Sequence, residues 1–169
     1  FDGVQWTKSA SVTAPPARAR HAMAYDSVRR RVVLFGGHGE DGNARSDTWE
    51  FDGQQWTRVI SATAPPARYQ HAMAFDVGRG KVVLFAGYDA DGAPLNDTWE
   101  FDGTNWTARA IASPPPARGD HAMAYDSQRN NIVLFGGYHS AGVQNDTWVL
   151  DASGWTLRSP STKPSARGD

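Results

Sequence analysis

Three arginines and three histidines recur at a fixed separation in this sequence: Arg18 and His21, Arg68 and His71, Arg118 and His121. A guanidinium offers five donors in a rigid fork, and an imidazole can change charge near neutral pH or ligate a metal. Three such pairs brought to one point could hold a polar or anionic ligand, and a ring of histidines could hold a metal ion. The alternative is that each pair bonds neighbouring loop carbonyls and locks adjacent units together. Recurrence in step with structural residues favours locking. These six are the candidate binding residues; no catalytic residue, metal site or cofactor is assigned.

Other motifs weigh less. Glu40-Asp41-Gly-Asn43 and Asp89-Ala-Asp91-Gly92 share acidic spacing with calcium loops, but they lack the remaining alternating ligands and the closing bidentate Glu. They read as turn-forming polar residues. Arg-Gly-Asp occurs at 118–120 and 167–169, yet its arginine is the recurring one, which leaves a Gly-Asp coincidence. Asn96, Asn105 and Asn145 are formal glycosylation acceptors on or beside strand positions. There is no nucleophile elbow, His-Glu metal motif or phosphate-binding glycine loop. The absence of Cys removes thiol catalysis, disulfides and thiolate metal sites.

The elements that position these residues come from a repeat. Phe-Asp-Gly-x-x-Trp begins at Phe1, Phe51 and Phe101, with a looser copy from Leu150 to Trp155. Pro-Pro-Ala-Arg ends at Arg18, Arg68 and Arg118, with a weaker copy at Pro164–Arg167. His-Ala-Met-Ala starts at His21, His71 and His121, and Asp-Thr-Trp ends at Trp49, Trp99 and Trp148. The repeats run 1–50, 51–100 and 101–149, with a partial repeat at 150–169, about 3.4 repeats in one array. Each repeat predicts four short strands: His71–Asp76, the Val-rich Lys81–Phe85, Asp97–Phe101, and a fourth from Trp106. No stretch sustains a 3.6-residue period with caps, so no helix is expected.

Lys plus Arg (17) nearly equals Asp plus Glu (18), which argues against broad electrostatic binding to nucleic acid or anionic membranes. No apolar run approaches the length of a membrane span. Seven Trp, seven Phe and five Tyr supply core material, and all seven Trp fall at repeat positions, which suggests packing between units. The sequence opens at Phe1 with no initiator Met or targeting segment, and reads as a processed chain or a window of a longer one.

The Gly doublets Gly36-Gly37 and Gly136-Gly137, followed by Asp-Thr-Trp and a second Trp, together with Pro66-Ala-Arg68-Tyr-Gln-His71, resemble the kelch repeat over essentially the whole chain. The resemblance implies an all-β fold of four-stranded antiparallel β-propeller blades, here a partial propeller. Ala86 departs from the first doublet Gly, which predicts φ below zero there or room for a small Cβ. Some kelch propellers resemble galactose oxidase, but that chemistry needs a Cys-crosslinked Tyr, which a Cys-free chain cannot provide.

The leading expectation is therefore a non-enzymatic scaffold. In an antiparallel blade the second-to-third-strand loops (38–46, 88–96, 138–145) and the blade-to-blade loops (about 59–70 and 109–120) emerge on one face. That face is the expected surface for a protein or glycan ligand. Three full blades leave open strand edges, so completion by self-association (a homodimer with six blades) or by further kelch blades is expected. The other readings are a structural half-propeller with no ligand of its own, and an enzyme or lectin with a loop-face site. A secreted or cell-surface bacterial setting agrees with the Pro-Pro loops and Asn-x-Thr triplets, with no segment that fixes localisation.

Overall fold

The computed structural model describes residues 4, 5, 7 and 11–168. Phe1, Asp2, Gly3, Trp6, Lys8, Ser9, Ala10 and Asp169 lie outside the described residues, and with them most of the first Phe-Asp-Gly-x-x-Trp motif. Among the described residues there are strands, turns and loops but no helix. The strands form three four-stranded antiparallel sheets, the blades of a partial propeller.

The first blade runs through Ala22–Asp26, Arg31–Phe35, Thr48–Phe51 and Trp56–Val59. The second uses Ala72–Asp76, Lys81–Phe85, Thr98–Phe101 and Trp106–Arg109, and the third Ala122–Asp126, Asn131–Phe135, Thr147–Asp151 and Gly154–Arg158. Strands follow one another in sheet order, so each blade is a meander. Register repeats as well: Phe35 faces Thr48, Phe85 faces Thr98, and Phe135 faces Thr147. The short turns are built by side chains. Asp26 Oδ1 accepts hydrogen bonds from Val28 N and Arg29 N, and Asp52 Oδ1 from Gln54 N and Gln55 N. These carboxylates satisfy turn amides that the ladder leaves over.

The core lies between blades. Ala24, Val33 and Phe35 of the first blade pack with Met73, Phe75, Val82, Leu84, Phe101 and Trp106 of the second. The next interface repeats this pattern: Ala74, Val83 and Phe85 meet Ile132, Leu134, Leu150 and Trp155. Each blade therefore has a receiving face and an inserting face, and the middle blade buries both. A buried Trp anchors each contact, with Trp106 Nε1 donating to Thr48 Oγ1 at 2.9 Å and Trp155 Nε1 to Thr98 Oγ1 at 3.1 Å. The expected packing role holds for these two tryptophans.

Two features go beyond the four-strand reading. The segment Arg18–Ala19 pairs with His38–Gly39, and Arg68–Tyr69 with Tyr88–Asp89, so the long loops are zipped to the entry of the first strand. In the third blade the loop instead folds back on itself, Tyr138–His139 against Gly142–Val143. Of the two expectations at Ala86, the structure has the second: its φ is +58°, the left-handed conformation of Gly36 (+63°) and Gly136 (+70°), with room for a small Cβ. The fold imposes this backbone and a methyl group is fully buried there.

Candidate functional site at the inner loop face

The recurring arginines turn into their own blades. Arg68 donates from Nη1 and Nη2 to the two carboxylate oxygens of Asp97 at 2.6 and 2.8 Å, from Nη1 to Ala86 O, and from Nε to Pro66 O. Arg18 does the same with Asp47 and Gly36 O, and Arg118 with Asp146 and Gly136 O. Arg68 and Arg118 are fully buried. Each paired carboxylate also accepts a hydrogen bond from a Trp indole two residues on: Trp49, Trp99 or Trp148. Burial alone would raise these carboxyls; hydrogen bonds from the guanidinium and indole, with the guanidinium charge, outweigh it and hold Asp47, Asp97 and Asp146 below the usual range.

The backbone at each arginine does the joining. Arg68 N donates to Arg45 O of the preceding blade, and Arg68 O accepts from Gly37 N at 2.9 Å. Arg118 repeats this with Leu95 O and Gly87 N, and Arg167 with Gln144 O and Gly137 N. The second Gly of each doublet is required by close packing within its own blade: a Cβ on Gly87 would sit 2.7 Å from Tyr69 O.

The histidines pack between blades. His71 meets the Phe35 ring edge-on at 5.7 Å, and His121 meets Phe85 at 5.5 Å. Both are buried, and among the described residues no hydrogen bond of ordinary geometry reaches either nitrogen of either ring. Desolvation, followed by the charges of Arg68 and His121, lowers His71 to about 3. Desolvation and the Arg118 charge lower His121 to about 3. His21 is lowered for the same reasons, burial first and Arg18 second. All three imidazoles are neutral at physiological pH. Among the described residues, no three His, Asp or Glu side chains stand close enough to share a metal ion.

What does gather at the centre is the residue immediately before each His. Arg20, Gln70 and Asp120 line a cavity of about 220 Å³ with the three histidines. Each has φ near +55°, an uncommon conformation for a residue with a Cβ. It is held by a backbone ladder around the axis, Gln70 N to Arg20 O at 2.9 Å and Asp120 N to Gln70 O at 3.0 Å. Gln70 Nε2 also donates to both Asp120 oxygens at 2.6 Å. Sequence reasoning missed these three. Their signal was variation: they change from copy to copy while the flanking Arg and His do not.

A family model, the KLHDC2/KLHL20/DRC7 Kelch-repeats domain, matches residues 53–169, more than half of the chain. The chain belongs to the kelch-repeat family. No curated protein matches it.

Around its cavity this kelch protein carries an aromatic arc on the same loop face. His38 lies 4.3 Å from Tyr69, Tyr69 stacks on Tyr88 at 5.7 Å, and the Tyr88 hydroxyl donates to Tyr138 O at 3.4 Å. The arc thus crosses all three blades. Arg20 sits over the Tyr69 ring at 5.8 Å. Tyr138 is half exposed. Burial and the neighbouring Asp120 raise the Tyr88 hydroxyl above its ordinary value, so it remains a neutral donor.

The remaining motifs resolve into structure. Asp89 accepts from Asp91 N and Ala93 N, which makes it a turn former. Full burial of Arg118 withdraws the first Arg-Gly-Asp triplet from recognition by a receptor. Asn105 Oδ1 accepts from Ala62 N at 2.8 Å in the loop joining the first two blades.

Proposed function

We propose that this kelch domain is a non-enzymatic interaction module that binds a polypeptide segment across its long-loop face. The observation that carries the reading is the arc His38–Tyr69–Tyr88–Tyr138 running beside the polar cavity of Arg20, Gln70 and Asp120. Aromatic surface supplies contact area at low entropic cost, and the adjacent donors and acceptors fix orientation. Kelch domains are interaction folds, which agrees with a protein ligand. The six Arg and His residues enter this reading as framework: the arginines fix the blades, and the histidines form the floor of the cavity.

The test is peptide-display selection on the immobilised chain, followed by affinity measurement on the winning peptides. Tyr138→Ala and Arg20→Ala should each weaken binding by roughly tenfold or more. Val77→Asp, on a turn at the opposite end, should leave binding unchanged. Peptides that bind equally well to all three variants, or enrichment only on a glycan array, would overturn the polypeptide reading.

A further inference from the structure

The cavity at the centre of the loop face is electrically polar. Six residues line it: Arg20, His21, Gln70, His71, Asp120 and His121. The histidines are neutral at physiological pH, so the charge of this lining comes from Arg20 and Asp120. Arg20 stands at the entry to the first blade and Asp120 at the entry to the third. The amide Gln70 separates them, and the main-chain ladder from Arg20 through Gln70 to Asp120 fixes that order. Two such steps set the cation and the anion roughly 10 Å apart at the backbone.

The two ends are prepared differently. Arg20 is exposed, and the Tyr69 ring holds its guanidinium at 5.8 Å. Among the described residues no hydrogen bond or ion pair engages that guanidinium, so its donors are open to a ligand. Asp120 is half-buried, and Gln70 Nε2 donates to both its oxygens at 2.6 Å, which orients the carboxylate without neutralising its charge. The Tyr88 ring lies against Gly119, with no room for a Cβ there, and so stands next to Asp120. A carboxylate beside an aromatic ring suits a cation, which gains an ion pair and a ring face together.

We propose that the bound segment is of mixed charge, with an acidic side chain on Arg20 and a basic side chain on Asp120. The inference rests on the loop-face polypeptide reading and adds the chemistry of the partner. The arc His38–Tyr69–Tyr88–Tyr138 runs from the first blade to the third, the same order as the two charges, so one extended segment along it meets both. At about 3.3 Å per residue, the acidic and basic positions of that segment stand roughly two to four residues apart. A uniformly acidic or uniformly basic segment satisfies one end and is repelled by the other.

The test is a charge swap. Arginine and aspartate already occupy equivalent left-handed positions here, at φ +57° and +55°, so Arg20→Asp combined with Asp120→Arg puts each residue on a backbone that already carries its type. Peptides selected by display on the wild-type chain should contain an acidic and a basic residue at the stated spacing. They should bind the swapped variant roughly tenfold or more weakly. The same peptides with their acidic and basic residues exchanged should regain that loss. If the swapped chain fails to fold, Asp120→Asn takes its place. It should weaken the selected peptides roughly tenfold, and leave unchanged the binding of peptides whose basic residue is replaced by glutamine. Selected peptides without a charge pair, or with equal affinity for the wild-type and substituted chains, would overturn the mixed-charge partner and leave the polypeptide reading standing. Failure to select any peptide would overturn both.

Discussion

Arg68 faces Asp97 through two parallel hydrogen bonds of 2.6 and 2.8 Å, with the guanidinium fully buried and the carboxylate 35% exposed. The pair ties the entry of the first strand to the start of the third strand of the same blade. Asp97→Asn leaves a buried cation without its counter-charge, and should cost about 3 kcal/mol in urea denaturation. Lys81→Ala, which breaks the exposed 3.7 Å pair with Asp102, should cost less than about 1 kcal/mol.

Trp106 and Trp56 occupy equivalent positions in neighbouring blades but different surroundings. Trp106 is fully buried and donates to Thr48; Trp56 lies half-buried with its ring 5.1 Å from that of Phe51. Trp106→Phe removes the donor and strands a buried hydroxyl, for a loss of about 1–2 kcal/mol by thermal or urea denaturation. Trp106→Ala should cost about 3–5 kcal/mol. Trp56→Phe, at a half-buried ring with no such bond to a buried hydroxyl, should cost less than about 1 kcal/mol.

Acid should unfold the protein in two stages. The folded pKa of His71 and of His121 is about 3, below the ordinary 6.5, so between these values the unfolded chain binds more protons than the native state. Stability is therefore fully present above pH 6.5 and falls as pH drops toward 3, by about 1.4 kcal/mol per pH unit for each imidazole. Asp47, Asp97 and Asp146, whose pKa values are also depressed, add a further loss below the ordinary carboxylate range. Chemical denaturation at several pH values should show this slope, and His71→Phe should reduce it between pH 6.5 and 4.

Two glycines with positive φ should respond unequally to alanine. Gly92 has φ +81° and open surroundings, the nearest atom to an added Cβ being Tyr69 Oη at 3.7 Å. Gly92→Ala should cost about 1 kcal/mol, the conformational penalty alone. Gly87 has φ +95°, and its Cβ would collide with backbone at Tyr69 and His71. Gly87→Ala should cost about 3 kcal/mol and lower the melting temperature correspondingly.

Much of the blade was legible because strand period and turn chemistry are local. The run Lys81–Phe85 is a strand with those same ends, and the Asp-Gly turns fall between strands as their residues require. The Arg68–Asp97 pair was not legible, although both motifs were visible, because joining residues 29 apart in sequence is a tertiary outcome. Which of the two alternatives held at Ala86 was not legible for a related reason. Losing a glycine argues against a left-handed backbone in isolation, but hydrogen bonds from Ala86 N to Asp97 O and from Gly87 N to Arg118 O override that preference. At the candidate site, the constant residues drew attention: the arginines turn into their own blades, while the histidines line the cavity together with Arg20, Gln70 and Asp120, which vary.

That variation follows from the ladder around the axis. Gln70 N to Arg20 O and Asp120 N to Gln70 O are main-chain bonds, so the geometry of the centre does not depend on which side chains project from it. A cation, an amide and an anion already share one backbone conformation there. Exchanging them rewrites the chemical character of the cavity without rebuilding the scaffold, so its lining and the architecture can evolve separately.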